Sequence, residues 1–182
     1  LQSTGVANVL SMMNGTLFSY YGDEVGLYGT NKGNNNVDQN VRIPIKWGDF
    51  SNLDCSVIDG VTSMQYPYAT VKEQLEDANS ILNYYKKVLL LRNQNPEIAR
   101  GSIELIAKDN KDNKMLFISK TYNNSKIGII FNFSEYENLN IDYKSYGYSS
   151  VVGQAVIDSS YYVGEQRDGS IIIPPYSIVI LK

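Results

Sequence analysis

Residues 15–26 read GTLFSYYGDEVG, an apolar run between glycines that leads into two carboxylates. Its first half is apolar or aromatic without period-two alternation, which is typical of a strand covered on both faces of a parallel sheet. Carboxylates follow at its carboxyl end, where α/β barrels and open α/β sheets place the loops that handle ligands. An ordinary core strand followed by a solvated turn explains the stretch equally well.

Helical patterns lie on both sides of this expected strand. Residues 2–13 carry apolar side chains at spacings of three and four, which predicts a helix that leads into the strand. A second helix is expected to begin at Thr70, which forms a capping-box pattern with Glu73, and to end before Pro96. A break near residue 78 is an alternative, because polar residues there could cap a new helix.

From about residue 101 the pattern changes to short strands separated by turn signals, which predicts an antiparallel β-sandwich. We therefore expect two domains, an α/β part over residues 1–100 and an all-β part over residues 101–182. A lone parallel strand has no partner within the first part, so that part is expected to belong to a larger fold or to pair with another chain. The expected strands cover residues 102–107, 115–122, 126–133, 171–173 and 176–181, with shorter ones near 150–152 and 155–157.

Composition limits the chemistry that this chain can perform. The 182 residues include no histidine and a single cysteine, Cys55. Histidine acid/base chemistry, Ser-His-Asp triads, histidine metal sites and intrachain disulfides are therefore excluded. A formal net charge of −3 gives no indication of nucleic-acid binding. No apolar run approaches the roughly 20 residues of a membrane span, and the amino terminus lacks the layout of a signal peptide.

Four stretches match motifs that occur in the same order in one enzyme family. Residues 15–26 correspond to G-T-P-x-x-Y-Y-G-E-E-I-G, with leucine in place of the proline. Residues 38–47 read DQNVRIPIKW, against D-x-N-x-R-x-P-M-x-W. Residues 80–92 read SILNYYKKVLLLR, against S-L-L-N-Y-Y-K-K-L-x-x-L-R, and residues 174–177 read PPYS before a hydrophobic strand. On these motifs the chain resembles the carboxyl-terminal part of an α-amylase-type enzyme of glycoside hydrolase family 13.

The resemblance implies a fold and an activity. Residues 1–100 would hold the last strand and helix of a TIM-type (β/α) barrel, followed by a Greek-key β-sandwich over residues 101–182. The parent enzyme would cleave α-glucosidic bonds of starch-like glucans with retention, which requires two carboxyl groups about 5 to 5.5 Å apart. In the family these groups lie upstream of Leu1, so no catalytic residue is expected here and the chain alone is expected to be inactive. Asp23 and Glu24 are adjacent and diverge, which favours loop bracing over catalysis.

The resemblance also implies substrate-binding residues, namely Arg42, Asp38 and Trp47. The planar five-donor fork of Arg42 would lie near the sugar pocket, and a salt bridge to Asp38 that braces the loop is an equal alternative. Trp47 could stack on a sugar ring or close the base of the loop, and the second interpretation is favoured. Tyrosines over residues 136–148 could form a starch-binding surface, although ordinary sheet packing is the favoured explanation.

No metal ion or cofactor is expected in this chain, although calcium could bind the missing upstream part of the enzyme. The expected partners are an α-glucan or maltooligosaccharide and the missing amino-terminal part of the barrel. The resemblance further suggests a secreted or cell-surface bacterial protein. Two alternatives remain: a non-catalytic carbohydrate-binding or structural β-sandwich module with residues 1–100 as an extended lead, and a chain that associates with a separately produced amino-terminal half.

Overall fold

The computed structural model of the chain describes residues 2–28, 43–48, 68–108, 114–158 and 169–182. None of the helices in these ranges combines the length and the apolar character needed to cross a lipid bilayer. In chain order the elements are α1 (Gln2–Met12), a 3-10 turn (Asp23–Val25), α2 (Val71–Glu76), α3 (Ile81–Gln94), α4 (Pro96–Arg100), β1 (Ser102–Lys108), β2 (Met115–Tyr122), β3 (Ser125–Asn132), β4 (Leu139–Asp142), a second 3-10 turn (Lys144–Tyr146), β5 (Val151–Ala155), β6 (Ser170–Ile173) and β7 (Ile178–Leu181).

The strands form two antiparallel sheets. The larger sheet has the order β1-β2-β3-β7-β5, and β4 pairs with β6 in the smaller one. A two-residue turn joins β2 to β3, and both of its residues, Asn123 and Asn124, have the positive φ that such a turn requires. The prediction of antiparallel strands is confirmed, whereas the Greek-key arrangement of a sandwich stays a prediction. Strand β4 was not predicted, and the two short strands expected near residues 150–157 are the single strand β5.

Both faces of the larger sheet are covered, which explains why β3 and β7 are almost wholly apolar. Successive side chains of a strand point to opposite faces. Ile129 and Ile180 pack in a cluster with side chains of α1, α3 and α4, whereas Ile130 and Val179 pack with side chains of β6. A continuous apolar run is therefore the pattern of a strand with two buried faces.

Packing divides the chain into two compact units. One contains residues 1–18 and 84–182, and the other contains residues 19–83. The first unit combines the β-domain with helical residues that cover its larger sheet. The second has a small apolar core of Val25, Ile45 and Tyr68. These units do not follow the domain boundary expected at residue 100, which stays a prediction.

The helix break that was the alternative near residue 78 is present, since α2 and α3 are separate helices. The predicted capping box at Thr70 is confirmed: its hydroxyl accepts a hydrogen bond from the Glu73 amide at 3.2 Å, and Glu73 Oε2 accepts one from the Thr70 amide at 2.8 Å. Buried Gln74 spans the break, because its side-chain oxygen accepts from the Leu82 amide at 3.1 Å and its carbonyl accepts from the Ser80 hydroxyl at 2.6 Å.

The strand expected over residues 16–21 is not formed within this chain, which agrees with the expectation that it has no partner among residues 1–100. Residues 16–20 form no strand ladder, and Phe18 is 85% exposed. A parallel strand obtains its hydrogen bonds from the strands beside it, and all strand pairs among the described residues are antiparallel and lie elsewhere. The helix that precedes this stretch is confirmed as α1.

Candidate functional site

The acidic turn after the apolar stretch is built between two glycines. Gly22 and Gly26 both have positive φ, at 87° and 69°, and they flank the 3-10 turn Asp23–Val25. A Cβ atom on Gly22 would lie 2.6 Å from the Leu27 Cβ, so both the conformation and the space require glycine. Asp23 Oδ2 accepts a hydrogen bond from the Tyr20 amide at 3.0 Å. This contact agrees with a bracing role for the Asp23 carboxylate.

The turn is tied to the end of the following loop by a tyrosine and a small apolar core. The Tyr21 hydroxyl accepts a hydrogen bond from the Ile45 amide at 2.9 Å. Ile45 is buried in one cluster with Val25 and Tyr68, while Ile43 is also buried. Residues 43–48 are thereby fixed beside the turn.

The start of α2 holds the main chain of Trp47. A helix leaves its first amides without intrahelical partners. Here the Val71 amide donates to the Lys46 carbonyl at 2.9 Å, and the Lys72 amide donates to the Trp47 carbonyl at 3.0 Å. The Trp47 side chain is 57% exposed. An exposed indole on a fixed main chain can stack on a flat apolar face of a ligand, and both interpretations of Trp47 stay predictions.

Arg42 and Asp38 lie outside the described residues. Their roles as substrate-binding or loop-bracing residues therefore stay predictions, and of the three expected binding residues the structure places Trp47 alone. The described residue that follows Arg42, Ile43, is buried and anchors the carboxyl side of that loop. No three histidine, cysteine, aspartate or glutamate side chains of the described ranges come together to hold a metal ion.

A buried arginine that the sequence interpretation left without a role holds the start of the apolar stretch. Arg92 is 9% exposed and its Nη1 donates to the carbonyls of Ser11 and Met13, each at 2.7 Å. Its Nη2 donates to the Gly15 carbonyl. The last carbonyls of a helix need such partners, and a cation also suits the negative end of the helix dipole. Burial lowers the pKa of Arg92.

A second buried cation lies in the same region. Lys120 in β2 is 0% exposed, and its ammonium donates to Asn14 Oδ1 at 2.6 Å and to the Ile98 carbonyl. Burial, followed by the charge of Arg92, lowers the pKa of Lys120 to about 8. The sequence signal for Lys120 is a lysine in a strand whose first half is apolar, and the signal for Arg92 is the arginine that ends the matched helix motif. Together these two side chains fix the exit from α1.

The chain matches the α-amylase catalytic domain family over residues 2–101. It is 35% identical over 135 residues to "Alpha-amylase SusG" of Bacteroides thetaiotaomicron, covering 70% of this chain and 18% of that protein. It is 24% identical over 213 residues to an oligo-1,6-glucosidase of Bacillus cereus, covering 97% of this chain and 37% of that protein. The chain thus spans well under half the length of these relatives.

Solved structures show the same fold. Eubacterium rectale Amy13B superposes with a TM-score of 0.83 at 28% identity, over 100% of this chain and 34% of that one. An α-amylase from H. orenii superposes with a TM-score of 0.73 over 99% of this chain and 35% of that one, and its 19% identity supports the fold alone. Because the family match covers more than half of the residues, the chain belongs to the α-amylase family. The resemblance inferred from the four motifs is confirmed.

Proposed function

We propose that this chain is the carboxyl-terminal part of a retaining glycoside hydrolase that cleaves α-glucosidic bonds of starch-like glucans. The observation that carries the proposal is the match of residues 2–101 to the α-amylase catalytic domain. Relatives named as an α-amylase and as oligo-1,6-glucosidases support the α-glucan substrate class. A free binding module is less well supported, because it would have no need for these residues. Secretion or attachment to a cell surface stays a prediction.

The proposed role of this chain is to supply the loop over residues 38–47, with Arg42, Asp38 and Trp47 as binding residues. The loop's end has the rigidity that a binding site needs, since Ile43 and Ile45 are buried and α2 fixes the Trp47 carbonyl. Asp23 is engaged in its own turn, where its carboxylate accepts a hydrogen bond from the Tyr20 amide. The acid and the nucleophile of the retaining mechanism would then come from the upstream part of the barrel.

Arg42 gives the direct test in the complete enzyme. An arginine that orients a sugar hydroxyl or a carboxylate contributes on the order of 1.5–3 kcal/mol per charge-assisted bond. We expect Arg42→Ala to lower kcat/KM on maltooligosaccharides roughly ten- to a hundredfold, and Arg42→Lys to restore little because an ammonium lacks the fork. Lys86→Ala, which removes an exposed cation on α3, is the matched control. An Arg42→Ala enzyme with a lower thermal midpoint but full activity per folded molecule would leave Arg42 a loop brace only.

The isolated chain should not hydrolyse starch, maltooligosaccharides or an activated maltoside. The two carboxyl groups of the retaining mechanism are expected in the upstream part of the enzyme, and this chain has no histidine to replace them for protonation of the leaving group or for nucleophilic attack. The measurement is turnover by the highly purified 182-residue chain beside its Asp23→Asn and Glu24→Gln variants. Turnover that persists on purification and disappears in either variant contradicts this part of the proposal.

A further inference from the structure

The tyrosines over residues 136–148 separate into two groups in the structure. Tyr143 and Tyr148 are buried in the core between the sheets, and the ring of Tyr146 meets Phe117 edge to face at 5.1 Å. Ordinary packing of the sheets accounts for the positions of these three tyrosines, which is the explanation that the sequence favours. Tyr136 is different, because it is 83% exposed and lies on the wall of a groove.

This groove has a volume of about 240 Å³ and is formed by three segments of the β-domain. They are the turn after β3 (residues 135–138), the segment that follows β5 (residues 156–158) and the turn between β6 and β7 (residues 174–176). Pockets that enclose drug-sized ligands hold roughly 300–1,000 Å³. The groove therefore suits one ring of a longer ligand whose remaining units stay in solvent.

One buried amide joins two of the three walls. Asn132 is fully buried, and its Nδ2 lies within hydrogen-bond distance of the Glu137 carbonyl at 2.9 Å and of the Ile173 and Pro174 carbonyls at 2.9 and 3.0 Å. Its Oδ1 accepts from the Ser134 amide at 2.9 Å. The walls are thus held at a fixed separation without a ligand, which reduces the entropy that binding would cost.

The third turn holds a tyrosine in a strained conformation. Tyr176 has φ of 51°, in the left-handed region that glycine adopts without strain. The strain is sustained by buried bonds to its carbonyl, which accepts from Asn8 Nδ2 at 3.3 Å and lies 2.9 Å from the Tyr84 hydroxyl. The same Tyr84 hydroxyl donates to Asn8 Oδ1 at 2.6 Å. Two rings, an exposed one and a clamped one, therefore border the groove.

The chemistry of the lining matches a neutral sugar. Sugar rings present C–H faces that pack on aromatic and prolyl surfaces, and hydroxyls that need both donors and acceptors. Tyr136 and the half-buried Pro175 supply the first kind of surface. Glu135, Asn138 and Asp158 supply the second. The neighbouring Glu135 carboxylate raises the pKa of Tyr136.

We propose that this groove is a carbohydrate-binding site, in which the Tyr136 ring stacks on one glucosyl unit of an α-glucan while Glu135, Asn138 and Asp158 bind its hydroxyls. The site would keep the β-domain attached to a polymeric substrate. The choice of an α-glucan rests on the proposed function, whereas the binding of a sugar rests on the groove itself.

Titration of the 182-residue chain with maltoheptaose, followed by calorimetry and by amide chemical shifts, tests the proposal without any need for catalysis. We expect saturable binding that shifts the amides of residues 135–138 and 156–158. Tyr136→Ala should weaken the affinity about tenfold or more, because the stacking surface is lost. Tyr136→Phe, which keeps the ring, should stay within about threefold. Tyr136 is so exposed that neither variant threatens folding.

Two further variants separate this site from the loop of the proposed function. Tyr146→Ala removes a tyrosine of the β-domain outside the groove and should leave the affinity unchanged. Trp47→Ala should also leave Tyr136-dependent binding intact. Binding that is lost with Trp47 and indifferent to Tyr136 overturns the groove proposal and leaves the proposed function standing. Absence of any Tyr136-dependent binding overturns it as well. Equal, Tyr136-dependent binding of cellohexaose overturns the α-glucan assignment and counts against the proposed substrate class.

Discussion

Residues 16–21 and residues 127–131 are both largely apolar runs, and they have opposite surroundings. In β3, which contains residues 127–131, antiparallel partners lie on both edges and side-chain layers cover both faces. Residues 16–20 have no ladder, and Phe18 points its ring largely into solvent. An apolar run in the sequence therefore indicates that its side chains are stable when buried. Whether they are buried depends on the strands and helices that pack beside the run.

Substituting one residue in each run should give the largest difference. Ile129→Ala removes a fully buried side chain and should lower the free energy of unfolding by about 2–5 kcal/mol, through lost transfer energy and the cavity left behind. Phe18→Ala removes a larger but exposed side chain and should change it by less than about 0.5 kcal/mol. The measurement is urea denaturation of the 182-residue chain, followed by circular dichroism.

The same two substitutions, Phe18→Ala and Ile129→Ala, can be compared in the complete enzyme. If the upstream barrel strands cover residues 16–21 there, Phe18→Ala should become destabilising, while the cost of Ile129→Ala should hardly change. Equal costs for the two substitutions in the 182-residue chain would mean that residues 16–21 already pack as a buried strand, and the distinction between the two runs would have to be abandoned.

Features that depend on neighbouring residues could be predicted from the sequence, whereas features that depend on distant residues could not. The hairpin β2–β3, helix α1 and the capping box at Thr70 depend on neighbouring residues, so local patterns were sufficient. Strand β4 was missed because its four residues alternate between half-buried and exposed and lack a strong apolar signal. The groove could not be predicted, because its walls are joined by Asn132 to carbonyls about forty residues away, which no local pattern reveals.

The larger sheet also contains a charge that should be visible in the pH dependence of stability. Lys120 has a folded-state pKa of about 8, below the value near 10.4 expected in the unfolded chain. Below about pH 8 the lysine is protonated in both states and the full cost of its burial is present. Between about pH 8 and 10 the unfolded state binds more protons, so the free energy of unfolding should rise with pH, by on the order of 1–3 kcal/mol.

Comparison with Lys120→Met isolates this contribution. The variant should lack the rise between pH 8 and 10, whereas Lys126→Met, which removes a half-exposed lysine of β3, should retain it. The range stops at pH 10 because burial raises the pKa of Tyr84 and Tyr148 in the folded state. Above about pH 10 these tyrosines ionise first in the unfolded chain, which lowers the free energy of unfolding as the pH rises. A wild-type curve parallel to that of Lys120→Met would show that the lysine does not titrate in this range.

The smallest expected effect tests whether the two packing units open separately. Helix α2 has six residues and belongs to the unit of residues 19–83, whereas β3 belongs to the other unit. So short a helix depends on its cap, and Thr70→Ala should cost about 1 kcal/mol, with Thr70→Ser as the control that keeps the hydroxyl. In native-state hydrogen exchange this cost should speed the amides of residues 73–76 about fivefold and leave those of residues 127–131 unchanged, because opening of α2 needs no opening of the sheet. If the β3 amides accelerate by the same factor, the chain unfolds as one cooperative body, and the contrast drawn between its regions would describe burial but not stability.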